Sequence, residues 1–135
     1  MKKLSKNEIS AGFIKHAIAW DEAESEAFFG FFAALDNLVM REPLKALEVM
    51  DLICRQSNNP KVLSNLGAGS IQDWLMLRAD VELDYYNAHK GSYFAQLIKI
   101  ANRNKNFRMA LKETWSVGLP EDEWAFILKA SGRSK

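Results

Sequence analysis

The chain is poor in the residues that interrupt or staple a fold. Three prolines and seven glycines punctuate 135 residues. Between them apolar positions recur at spacings of three and four, which predicts helix. A single cysteine, Cys54, excludes an internal disulfide, and its neighbours Leu52 and Ile53 make it read as a reduced structural thiol. Long apolar runs are missing too. The longest, Ala27 to Leu35, is nine residues and contains Gly30, well short of the roughly 18 that a bilayer requires. The basic start Met1-Lys2-Lys3-Leu4-Ser5-Lys6 leads into Asn7-Glu8 instead of an apolar stretch, so no signal peptide is read. The expected location is the cytoplasm, away from membranes.

What is present suits one domain. With 48% hydrophobic and 26% charged residues in 15.3 kDa, the chain is long enough for one core and too short for two ordinary ones. The expectation is a single helical domain over residues 1–130, followed by a frayed tail, 131–135.

Ser5 with Glu8 forms a capping box that opens a first helix bearing Ile9, Phe13, Ala17 and Trp20 on one stripe. Acidic residues Asp21, Glu22, Glu24 and Glu26 crowd the start of a second, where the helix macrodipole favours them. That helix is expected to run to about Glu42, with Phe28, Phe32, Leu35 and Val39 inward. Pro43 then opens a third, to Arg55, with Leu44, Leu47, Met50 and Cys54 inward. Pro60 opens a short fourth, through Leu66. Gly67-Ala68-Gly69 reads as its C-cap, and Ser70 with Asp73 as the next N-cap, for a helix holding Ile71, Trp74, Leu75 and Leu77. Ala79 to Lys90 carries both alternating and helical spacings and is assigned as helix, because a lone strand has no partner. Tyr93, Leu97, Ile100 and Ala101 mark a further helix. Asn104-Lys105-Asn106 forms a polar turn before a helix from Phe107 to Trp115. Leu119-Pro120 starts the last, with Trp124, Ile127 and Leu128.

The expected fold is therefore all-α, seven or eight short helices arranged as antiparallel hairpins, either a HEAT-like array or an irregular bundle. No fixed repeat period is visible.

Two blocks, Leu66-Gly67-Ala68-Gly69-Ser70-Ile71-Gln72-Asp73 and Phe107-Arg108-Met109-Ala110-Leu111-Lys112-Glu113-Thr114-Trp115, carry a resemblance. From Pro43 to Trp124 the chain is similar to a family of small bacterial all-helical proteins classed as a domain of unknown function. In that family Pro and Glu usually stand where this chain has Ser70 and Gln72, and Asp-Pro where it has Lys105-Asn106. The stretch from about Leu75 to Ala88 is also longer here. The resemblance implies helical hairpins and brings no activity, cofactor or catalytic residue.

Groups for catalysis are sparse. His16 lies between Ile14 and Ala17 with no His or Glu three or four residues away, and His89 sits in the turn His89-Lys90-Gly91. Gly67-Ala68-Gly69 lacks the Lys-Ser/Thr of a phosphate loop. Glu22 and Glu26 share a face, yet no Glu-x-x-His pair completes a di-iron set. No base stands beside a nucleophile. The sequence therefore predicts no metal, no cofactor and no enzyme. An unfamiliar site around Asp73, Trp74 and Arg108 is the enzymatic alternative.

Charge is segregated beneath a formal net of +1. Residues 1–20 carry +3, residues 21–51 −6, residues 52–84 −1 and residues 85–135 +5. Such a bipolar chain fits opposed patches within one molecule or between partners. The aromatic run Phe28-Phe29-Gly30-Phe31-Phe32 covers more than one helix face. If the second helix is central, both faces are core, which is the ordinary expectation and carries no function; if it is peripheral, Phe29 and Met40 form an exposed apolar patch, with Gly30 permitting close backbone approach.

The leading expectation is a non-catalytic protein-interaction module, an immunity or inhibitor-type protein that neutralises a toxin or effector. Asp21, Glu22, Glu24, Glu26 and Phe29 are its candidate contacts. A homodimer is a further expectation. The alternative is an accessory nucleic-acid-binding protein using Lys99, Arg103, Lys105, Arg108 and Lys112, against which a pI of 7.8 and the lack of a recognition helix both weigh.

Overall fold

A computed structural model of the chain describes residues 4–19, 22–80, 95–115 and 121–132. The fold is all-α, built of short helices, with no strand among the described residues. None of these helices is long and apolar enough to cross a membrane.

The starts follow local chemistry. Helix α1 (Lys6–Ala17) opens on the expected capping box: the Glu8 amide donates to Ser5 Oγ at 3.1 Å and the Ser5 amide to Glu8 Oε1 at 3.0 Å. It stops at Ala17, short of the Trp20 expected on its stripe; Trp20 and Asp21 lie outside the described residues. Helix α2 (Glu22–Arg41) is followed after one residue by α3 (Pro43–Gln56), whose first turn Pro43 occupies. Leu44, expected inward, is exposed at the outer side of that first turn, while Ala46, Leu47, Val49 and Met50 form the buried face. Asn59 Oδ1 accepts the Lys61 amide at 2.9 Å and opens α4 (Pro60–Asn65).

The largest correction follows. Gly67-Ala68-Gly69 does not end α4, and Ser70 does not cap α5. Residues Leu66–Ile71 form a wide π-helical turn that leads straight into α5 (Gln72–Asp80). Neither glycine has a positive φ, so neither acts as a left-handed cap. Leu66, Ile71, Trp74 and Leu75 are all fully buried. Burying those four side chains outweighs the roughly 1 kcal/mol that each helical glycine costs, and the extra residue in the wide turn sets their direction.

Residues 95–103 form α6, with Leu97, Ile100 and Ala101 buried as expected. Of the expected helix from Ala79 to Lys90, Ala79 and Asp80 belong to α5 and the rest lies outside the described residues, as do His89, Gly91 and Tyr93. The expected polar turn at Asn104-Lys105-Asn106 is one residue wide: Asn104, buried, caps α7 (Lys105–Leu111) by accepting the Phe107 amide at 3.1 Å. Helix α7 ends at Leu111, earlier than the predicted Trp115, because Glu113 and Thr114 turn back onto the Ala110 and Leu111 carbonyls. Helix α8 (Glu121–Ser131) buries Ile127, and the Ser131 hydroxyl donates to the Leu128 carbonyl at 2.9 Å.

Helices α1 and α2 run antiparallel: Phe13 meets Phe32, whereas Lys15 and His16, further along α1, meet the earlier Phe28 and Phe29 of α2. Phe13 stacks on Phe32 at 5.8 Å, Lys15 lies over Phe28 at 5.4 Å and His16 meets Phe29 at 5.9 Å. Gly12 makes this approach possible, because a Cβ there would overlap the Phe31 ring. Gly30, the glycine expected to permit close approach, faces open space. Helix α3 returns alongside α1, tied by Lys6–Glu48 at 2.6 Å and Ser10–Gln56 at 2.7 Å. In the other half α7 packs against α3, α4, the π turn and α8. Contacts therefore reach beyond sequence neighbours.

Candidate functional site

Two surfaces gather side chains that the fold itself does not need to bury. The first is the outward face of α2. Among the described residues its amino-terminal half is covered by α1: Phe28, Phe31 and Phe32 are half-buried, and Leu35, Leu38 and Val39 further along are buried. Beside these rings Glu22, Glu26, Phe29, Ala33, Asn37 and Met40 follow one another at helical spacing, all exposed, with the Phe29 ring at the edge nearest α1, against His16. Phe29 is 55% exposed and Met40 68%. Of the five expected contact residues, the structure thus places Glu22, Glu26 and Phe29 on one stripe. Glu24 is half-buried off that stripe and engaged elsewhere, and Asp21 lies outside the described residues. Beside this face His16 is half-buried, its Nδ1 3.0 Å from the Ser25 carbonyl oxygen and its ring 5.2 Å from that of Phe32.

The second surface lies where α3 meets the corner between α6 and α7. Asp51, its side chain 7% exposed, is the hub. Arg55, one turn along α3, reaches its Oδ2 at 3.0 Å, and Arg103, at the end of α6, reaches the same oxygen at 2.9 Å. Asn104 Nδ2 donates to Oδ1 at 2.8 Å and to the Asp51 carbonyl at 3.2 Å. Asn106 Nδ2 donates to the carbonyls of Cys54 and Ser57, at 2.8 and 3.3 Å, satisfying groups that the end of α3 leaves open. Cys54, Arg55, Arg103, Asn104, Lys105 and Asn106 line an open hollow of about 530 Å³.

This surface divides the basic cluster read from sequence. Arg103 and Lys105 line the hollow. Arg108 turns away: its Nη1 donates to the carbonyls of Ala101 and Asn102, at 2.7 and 3.3 Å, and closes the end of α6. Lys99 is exposed on α6, and Lys112, just past α7, has a partner of its own. The sequence reading missed Asp51, Arg55 and Asn104. Asp51 and Arg55 carry a visible signal, an ion pair at i, i+4 on a predicted helix.

The residues considered for an enzymatic site are not gathered into one. Trp74 is fully buried and its indole donates to the Pro43 carbonyl at 3.0 Å. Arg108 belongs to the α6 end. Asp73, exposed on α5, faces Asp36 of α2; burial raises both carboxyls above the usual aspartate range, and for Asp36 the Asp73 charge adds to that rise. The Cys54 thiol is pushed far up by burial, and secondly by the Asp51 charge, so it holds its proton at neutral pH and is no nucleophile. Among the described residues no three His, Cys, Asp or Glu side chains gather as metal ligands would.

Gln72 holds the chain beyond α7. Its amide accepts from the Trp115 N–H at 2.8 Å and donates to the Trp115 carbonyl at 3.1 Å, as a neighbouring strand would. Ser70, in the π turn, is fully buried and its Oγ has no partner among the described residues. Compared with family models, curated proteins and solved structures, the chain matches none.

Proposed function

We propose that the protein works without catalysis, by binding another protein through the outward face of α2. The partner we propose is a toxin or effector that the chain occludes, as immunity and inhibitor-type proteins do. The observation that carries this reading is the exposure of Phe29 and Met40 on the same stripe as Glu22 and Glu26. Large apolar side chains rimmed by charge are the composition of an interface centre and its edge. The acidic end suits a target with a basic rim, and the aromatic supplies an anchor for an apolar pocket. The scattered engagement of Asp73, Trp74 and Arg108 supports the non-catalytic part of the reading.

A benzophenone crosslinker placed at position 29 tests it in the source cell, with position 61 on α4 as control. The expected result is one protein adduct from position 29, none from position 61, and loss of that adduct when Glu22→Lys and Glu26→Lys are combined. Equal adducts from both positions, or adducts that survive the charge reversal, would overturn it.

A further inference from the structure

We propose that the hollow between α3 and the α6–α7 corner is a binding site for a phosphate-type oxyanion, held by Arg55, Arg103 and Lys105. The inference is independent of the α2 face. It starts from an imbalance of charge. Two guanidiniums converge on one carboxylate oxygen, Asp51 Oδ2, at 3.0 and 2.9 Å. The other oxygen is taken by Asn104. Lys105 adds a third cation to the lining and has no ion pair among the described residues. Three cations therefore face one buried anion, leaving two net positive charges around a hollow that, among the described residues, no carboxylate lines.

The adjoining hollow shows what balance looks like. It measures about 270 Å³ and shares Arg55, but its Lys6 is paired with Glu48 at 2.6 Å and Asp51 itself contributes to the lining. Of these two hollows, the larger carries the uncompensated charge among the described residues.

The same contacts prepare the cations for a ligand. Each guanidinium presents five donors, of which Asp51 fixes one nitrogen, so the fork is oriented before anything binds. Asp51 lies behind the arginines at 7% exposure, whereas Arg55 and Arg103 are 57% and 44% exposed. Asn104 and Asn106 are engaged with α3 and hold the floor in place. The cations come from three elements, α3, α6 and the start of α7. That disposition fits a compact anion with several oxygens and up to two charges, as a phosphate has, better than a planar carboxylate that a single arginine can hold.

The test is a backbone-amide NMR titration of the full chain, at constant ionic strength, with inorganic phosphate in one arm and a short single-stranded oligodeoxynucleotide in the other. Chloride serves as the control. The expected shifts centre on residues 55 and 103–106. Arg55→Gln and Lys105→Gln, both at exposed positions, should each weaken binding about tenfold, the effect of losing one charged hydrogen bond. Saturation by phosphate identifies a free or terminal phosphate as the ligand; the same residues responding to the oligonucleotide alone identify a nucleic-acid backbone. Both results support the site. No shift in either arm would overturn it, as would shifts spread over all basic residues or binding unchanged in the two variants.

Discussion

Helices α1 and α2 meet through rings and a missing side chain, whereas α3 and the α6–α7 corner meet through amides and a carboxylate. At the first contact the Phe31 ring lies on Gly12 and Phe13 stacks on Phe32, with Phe29 and Met40 left exposed on α2. At the second, Asn104 donates to Asp51, and Asn106 donates to the open carbonyls of α3. The difference shows how one short chain can join helices in two ways. Ring packing is forgiving in direction and leaves an outer surface free to diverge. A buried polar cluster fixes one geometry, because each donor left without its acceptor costs about 1–3 kcal/mol.

Substitutions at the close approach of the π turn to α7, at the polar corner and on the α2 face separate by size. Gly67→Ala should have the largest effect, a loss of about 3 kcal/mol in urea unfolding, because the new Cβ would overlap the Ala110 carbonyl and α7 cannot yield as a side chain can. A loss below about 1 kcal/mol would show that α7 is free to shift. Asp51→Ala should follow at about 2 kcal/mol: it removes an acceptor from buried Asn104, while the two arginines, each about half exposed, regain water. Neutral behaviour in the same assay would mean that the polar corner does not hold α3. On the α2 face the sign reverses. Gly30→Ala should stabilise by up to about 1 kcal/mol, since alanine is the better helix former and nothing lies within 4 Å of the added Cβ. A destabilised variant would reveal that the face is already covered.

The smallest effect is a dependence on pH. Asp36 and Asp73 have raised pKa values in the folded protein, so between the unfolded value, about 4, and the folded one the native state holds more protons than the unfolded. Their contribution is full at lower pH and fades as pH rises through that window. Asp36→Asn should flatten the fall in melting temperature as pH rises above the unfolded value of about 4. An unchanged slope would remove the pair from the account.

The parts of the fold that the sequence announces are those governed by one or two neighbouring residues. Ser5 with Glu8, Pro43 and Pro60 mark helix starts by chemistry that operates within a turn, and all three stand. Gly67-Ala68-Gly69 misleads for the opposite reason. Its local preference is to stop, and what overrides it is the burial of Trp74 and Leu75 by elements distant in the chain. The α2 stripe was half legible: the acids and Phe29 were visible, but which face would stay open depends on how α1 packs. The polar corner was the least accessible. Asp51 and Arg55 form a local pair, yet Arg103 and Asn104 stand more than 50 residues away, and no periodicity reports a contact at that separation.

The wide turn at Leu66–Ile71 acts as a phase setter for the helix that crosses it. Each residue added to or removed from a helix rotates everything beyond it by about 100°. Deleting one residue here would restore an ordinary turn and swing Trp74 off the Pro43 carbonyl and Gln72 off Trp115. The azimuth of α5 is therefore written in the number of residues in that turn more than in their identity, and variation by insertion or deletion is the kind that this stretch tolerates least.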